Sequence, residues 1–200
     1  MAVSPPSDAK PYHHGALRHA LLAAAEARLA QAGPDSLTLR AIARDVGASH
    51  TAPRNHFDDL TGLLSELAAM GFERFARHLL AAAADQPTAM ARLNATGRAY
   101  VEFALAHPGL FQLMFRGERL DVTRPALRDA MARAYLVLQE AVAAAHPSDA
   151  EEMSARVARA WSMAHGFAML LLDDQLGPLL GDQAGAAGAM RLLDTILAID

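Results

Sequence analysis

The chain has 200 residues, a formal net charge of −4 and a hydrophobic content of 52%. Many alanines and few β-branched residues at that content point to an all-α protein, and the length suits one or two small domains with a real core. With no cysteine, disulfides, thiol nucleophiles and zinc–thiolate sites are excluded, and the negative balance means that any nucleic-acid binding must come from a local patch.

Residues 1–11, with "SPPS" and then "KP", read as a disordered arm. The opening "MAVSPPSDAKPYHHG" has no apolar leader segment. No apolar run approaches the roughly 18 residues needed to span a bilayer, so a cytoplasmic location without a membrane partner is expected. From Ala16 the pattern turns helical: Leu17, Leu21, Ala24 and Leu29 share a face, and "AGPDS" ends the helix near Gly33. A second helix, over about 38–45, places Leu39, Ile42, Ala43 and Val46 at helical spacing, with Ser36 or Thr38 as cap and Gly47 as stop. A short element follows Ser49 and closes at Phe57. A longer helix after "DDLTG" carries a stripe of Leu60, Leu63, Leu64, Leu67, Gly71, Phe75 and Leu79.

The remaining text predicts one helix through Met90, Leu93, Gly97, Tyr100, Val101 and Ala104, and a short apolar element at "LFQLMF". Another runs through Leu127, Met131, Ala134, Leu138 and Val142, and the next, capped by Ser148 or Asp149, through Val157, Trp161, Ala164, His165, Ala168 and Leu172. The last runs through Met190, Leu193, Ile196 and Leu197. There is no useful β-alternation and no internal repeat, so about nine helices are expected.

The third element holds Pro53, and a proline inside a helix removes a donor and clashes with the carbonyl four residues back. In a first turn the donors are largely unused. With Ser49 as N-cap, Pro53 falls at the end of the first turn and marks the start of the helix. The pair formed with the second helix then has the form of a helix-turn-helix whose second member is short and polar. Thr51, Arg54, Asn55 and His56 carry groups that reach base edges and phosphates. The other reading of the same spacing is a solvated polar helix in an ordinary bundle.

Residues 12–72 resemble the DNA-binding domain of the tetracycline-repressor (TetR) family. The resemblance is carried by "LLAAA" in the first helix, "G-x-x-x-L-T-L-R-A-I-A", "D-V-G-A-S" and the closing "H-F". "YHHG-x-L-R", "SHTAP", "HPGLFQLMF" and "WSMAHG" (Trp161, His165, Gly166) are similar to one branch of that family. The resemblance implies a helix-turn-helix domain over 12–60 and a helical ligand-binding and dimerisation domain over 61–200. It implies a homodimer on a palindromic operator in double-stranded DNA, released by a small apolar molecule. The DNA-facing residues it implies are Thr38, Arg40, Ser49, His50, Thr51, Ala52, Arg54, Asn55 and His56. Of these, Thr51 and Arg54 are expected to select sequence, and Thr38, Arg40 and His56 to hold phosphates. Two positions depart from the pattern. Arg54 stands where the branch usually has an aromatic, and Leu60 where the fourth helix usually begins with a phosphate-binding lysine.

His165 lies one turn after Trp161 on an apolar stripe, either as a core histidine or as a polar anchor in a ligand pocket. The walls of such a pocket are expected from Phe103, Met114, Phe115, Trp161 and Phe167. Dimerisation is expected through 151–176 and 186–198, where Ala158, Ala168, Gly188 and Ala189 permit close packing. The nine histidines show no metal-ligand spacing: His13 and His14 are adjacent, and His50 and His56 fall on different faces. Neither a metal nor a cofactor is expected. No G-x-S-x-G, Walker or G-x-G-x-x-G pattern supports catalysis, and Asp58–Asp59 and Asp173–Asp174 read as helix-end carboxylates. The competing function is a helical small-molecule-binding protein with weak or lost DNA affinity.

Overall fold

The computed structural model describes residues 14–147, 150–183 and 185–198. The predicted arm, Tyr12, His13 and the capping candidates Ser148 and Asp149 lie outside the described residues. Within them the chain forms ten α-helices and no strand. In order these are α1 (His14–Ala32), α2 (Leu39–Asp45), α3 (Ala52–Phe57), α4 (Leu60–Ala84), α5 (Ala89–Ala106), α6 (Pro108–Met114), α7 (Pro125–Ala145), α8 (Ala150–Leu172), α9 (Gly177–Leu180) and α10 (Ala186–Leu197). The helix beyond the nine expected is α9. "LGP" was expected only to stop a helix, but Pro178 sits in a first turn, where its missing N–H costs little.

Local chemistry sets several starts. Thr38, Asp59 and Thr88 each accept a hydrogen bond from the backbone N–H three residues on, at 3.1, 2.8 and 3.1 Å, which satisfies one of the orphan donors of a helix N-terminus. Pro53, Pro108 and Pro125 occupy first-turn positions of α3, α6 and α7. Ser49 is not the cap of α3. Thr51 holds that position; Ser49 stands in the preceding turn, its carbonyl accepting from Ala52 N–H at 3.1 Å and its Oγ lying 3.2 Å from Thr51 Oγ1. Pro53 therefore lies nearer the start of the helix than a Ser49 cap implies.

The long helix α4 is the spine. It packs chiefly against α7 and α5 and also meets α1, α3 and α6. Its buried stripe includes Leu63, Leu64, Leu67, Gly71, Phe75 and Leu79, as the periodicity predicts, while Leu60 is half-buried against the core. One apolar cluster runs from Leu21 and Leu29 in α1 through Phe57 and α4 to Leu193 in α10. Trp161 departs from its predicted stripe and is 42% exposed.

Candidate nucleic-acid interface and ligand cavity

The helix-turn-helix is built from a capped α2, a turn at Gly47 with φ +66°, and α3. The positive φ suits glycine, which lacks the Cβ that disfavours it, and the turn closes through Ala48 N–H to Ala43 carbonyl at 2.9 Å. The inner side of α3 is Ala52, Pro53 and Phe57, all buried, with Phe57 wholly so. Ala52 therefore packs inward and leaves the expected DNA-facing set, because it falls on the apolar side of a six-residue helix. Thr38, Arg40, Ser49, His50, Thr51, Arg54 and Asn55 are all exposed, and His56 is half-buried.

Arg44, one turn after Arg40 on α2, is exposed as well. Sequence reasoning passed over it, although the four-residue spacing puts both arginines on one side of α2. Among the described residues, Arg40, Arg44 and Arg54 form no side-chain ion pair, whereas nearby acids are engaged. Asp45 accepts from Arg28 Nε and Nη2 at 2.9 Å each, and Asp58 accepts from Arg124 at 2.9 Å. The head thus shows unpaired guanidinium charge outward despite the net charge of −4.

Behind the head, a cavity of about 880 Å³ opens among α4, α5, α7 and α8, with α10 closing one side. Its walls are mostly apolar: Phe72 and Phe75 of α4, Leu93 and Gly97 of α5, Met131 and Leu138 of α7, Met163 and Ala164 of α8. Of the six residues expected to line a pocket, Met114, Phe115 and Trp161 do, and Phe103, His165 and Phe167 do not. Phe103 turns to Phe75 and His107, at ring separations of 5.1 and 4.8 Å, and Phe167 is buried in the α8 core. His165 stands behind the wall and reaches it through Tyr100, whose hydroxyl lies 2.9 Å from His165 Nδ1. Tyr100 is the polar group that sequence reasoning missed. It is 4% exposed and packs edge-on against Phe75 and Phe111. Burial raises the Tyr100 phenol and lowers the His165 imidazole from their ordinary ranges, which favours the neutral form of each.

Besides α4 itself and the Arg119–Asp35 pair, two contacts join the cavity wall to the head. In α6, whose Met114 lines the cavity, Gly109 lies so close to α1 that a Cβ there would stand 2.8 Å from the Leu29 carbonyl oxygen. The segment 117–124 contributes Gly117, Leu120 and Val122 to the wall and ends at Arg124, which holds Asp58, the C-cap of α3. The same segment is fixed to α4 by Asp121 N–H donating to Ser65 Oγ at 2.8 Å, while the Ser65 hydroxyl donates to the Thr61 carbonyl at 2.7 Å. Helix α1 is tied to α4 by Arg74 with Glu26 and by Arg18 with Glu66. Both pairs are partly exposed, so they orient more than they stabilise.

Three of the small residues expected at a dimer face are committed within the chain. Ala168, Gly188 and Ala189 are buried, and a Cβ on Gly188 would stand 1.7 Å from the Gln183 carbonyl oxygen. Ala158 is exposed. It shares the outward face of α8 with Ala155, Ser162 and Leu170, and with Gly166, beside which a Cβ would meet nothing within 4 Å.

A helix-turn-helix head fused to an all-helical body with a ligand-sized cavity defines a class of regulatory protein. Residues 93–196 match the tetracyclin repressor-like C-terminal domain family, and the chain belongs to that family. A solved structure of a protein of unknown function from Rhodococcus sp. RHA1 is 34% identical over 94% of this chain and 96% of its own, with a TM-score of 0.75. A bacterial regulatory protein of the TetR family from Rhodococcus RHA1 is 20% identical, covering 80% of this chain and 94% of its own, TM-score 0.57. The ketosteroid transcriptional regulator KstR2 of Mycobacterium tuberculosis is 17% identical over 92% of each chain, TM-score 0.52. A search of the curated proteins found no match.

Proposed function

We propose that the chain is a transcriptional repressor that binds a palindromic operator as a homodimer and is released when a mainly apolar small molecule enters the cavity. The observation that carries this reading is the outward face of α2 and α3, where Arg40, Arg44 and Arg54 are exposed and, among the described residues, form no ion pair. Arg54 and Thr51 select sequence from the groove; Thr38, Arg40 and His56, with Ser49, His50 and Asn55 beside them, hold the backbone. Leu60, half-buried on the core, offers no phosphate contact, and Arg44 supplies positive charge in its place. The protein acts where the DNA is, in the cytoplasm, and by binding, with no catalytic step.

Dimerisation supports two-fold reading, since half-sites face one side of B-DNA only when about one helical turn, roughly 34–36 Å, separates them. The exposed small-residue face of α8 supports close approach of a second copy, with the outer side of α10. A molecule filling the cavity displaces α6 and the 117–124 segment. Through Gly109 against α1 and Arg124 against Asp58, that displacement re-aims α3 and changes the spacing of the two heads. The experiment is fluorescence anisotropy with the DNA upstream of the protein's own gene. Salt-sensitive, saturable binding by a dimer is expected; equal affinity for that DNA and random duplex would overturn the reading.

A further inference from the structure

The lining of the cavity has a sign. Every charged side chain in it is basic, Arg156 and Arg159; His146 lies in the same wall, and no aspartate or glutamate lines it among the described residues. Arg156 is paired with Glu152, Nε to Oε1 at 3.0 Å. Arg159 is exposed and, among the described residues, makes no ion pair. We infer that the ligand is an amphiphile with a carboxylate head, its chain in the apolar cavity and its head on Arg159 at the mouth. This deepens the reading of the cavity as the effector site and rests on it.

The charge and the apolar wall are separated along one helix. On α8 the lining passes from Arg156 and Arg159 to Met163 and Ala164, a rise of about 6–12 Å at 1.5 Å per residue. Along α7 and its C-cap it runs from His146 and Val142 to Met131, so from Val142 alone the apolar wall extends about 16 Å. An elongated apolar chain fits that wall, ending near Tyr100 and Met114, while a flat drug-like molecule would leave one end empty. A guanidinium presents a fork of donors that matches a carboxylate in two parallel bonds. A lipophilic cation meets Arg159 at the mouth, where the one neighbouring carboxylate, Glu152, is already held by Arg156, and finds no acidic side chain in the cavity lining among the described residues.

The test uses three twelve-carbon probes on the full chain, laurate and dodecyltrimethylammonium below their micelle concentrations and dodecanol below its solubility limit. The reporter is Trp161, the single tryptophan of the sequence and a wall residue. Laurate should bind most tightly and the cation least. Arg159→Gln, at an exposed position that leaves the fold intact, should weaken laurate by about tenfold, the low end for a charged hydrogen bond, and leave dodecanol unchanged. Dodecanol binding as tightly as laurate, the cation binding more tightly, or laurate indifferent to Arg159→Gln would each overturn the carboxylate assignment and leave the cavity as a neutral apolar site. Failure of all three probes to bind overturns the assignment and the cavity reading together. Arginine-dependent laurate binding that leaves DNA affinity unaltered upholds the assignment and removes laurate's role in release.

Discussion

Gly62 occupies the corner where the reading helix meets the spine. A Cβ at this position would stand 2.0 Å from the Phe57 carbonyl oxygen and 2.7 Å from Arg124 Nη2. The second atom ends a flexible side chain and can swing away. The first is backbone, at the last residue of α3, and must retreat by more than an ångström to reach ordinary contact. Phe57 is fully buried and cannot follow freely, so Gly62→Ala strains the end of α3 or the first turn of α4. Overpacking of this kind costs about 1–3 kcal/mol, which for a chain of this size lowers Tm by roughly 2–12 °C. Gly97→Ala is the control: its Cβ meets only Leu197 side-chain carbons, the nearest at 3.1 Å, and a small Tm change is expected. Thermal melts by circular dichroism read the stability, and anisotropy at a temperature where both variants are folded reads DNA affinity. Gly62→Ala should lose both. If it melts with the wild type and binds DNA as tightly, α3 is not held at this corner and its proposed route to the cavity fails with it.

Arg54→Ala should cost about 1–3 kcal/mol on the preferred DNA and relax selection at one position per half-site; an equal loss on random DNA would reduce Arg54 to a phosphate contact. Arg124→Gln removes a half-buried arginine's bridges to the exposed Asp58 and to Asp121 and should shift Tm little while reducing the ligand's effect on DNA affinity; unchanged coupling would remove Arg124 from the relay. His165 has a folded pKa lowered by burial from 6.5, so the unfolded chain binds its proton first. Its contribution is present in full above the unfolded pKa and is lost as pH falls through the folded value. Wild type should therefore lose more Tm between about pH 7.5 and about pH 5.5 than His165→Gln does; parallel losses would remove His165 as the cause. Light scattering at micromolar concentration should give a dimer, and a monomer would sink the two-fold model.

Most of the fold was legible because helical periodicity is a local signal. The stripe from Leu63 to Leu79, the cap at Thr38 and the turn at Gly47 all follow from spacing and residue type. The start of α3 was less legible because Ser49 is by residue type the better cap, yet the helix begins after Thr51, which makes no side-chain cap bond, with Ala52 and Pro53 buried. Ala52 was misassigned by the same one-turn uncertainty: in a six-residue helix, a small slip in phase exchanges inside for outside. The cavity was half legible. Met114, Phe115 and Trp161 lie in motifs, but Phe75, Met131 and Leu197 come from three separate helices whose meeting depends on tertiary packing. His165 was visible as a polar group on an apolar stripe, yet its partner Tyr100 is 65 residues away in sequence. The small residues of α10 were read as open to a second copy, when Gln183 of the same chain already covers Gly188.

The central claim is that the cavity and the reading head share one equilibrium, and reciprocal titration tests it most directly. Ligand affinity is measured by Trp161 fluorescence with and without saturating operator, and operator affinity by anisotropy with and without saturating ligand. Linkage requires the two ratios to be equal, with a coupling of typically 1–3 kcal/mol, or about 5–150-fold. The account predicts equal weakening in both directions. A ligand that saturates Trp161 with the same affinity whether or not operator is bound would contradict it.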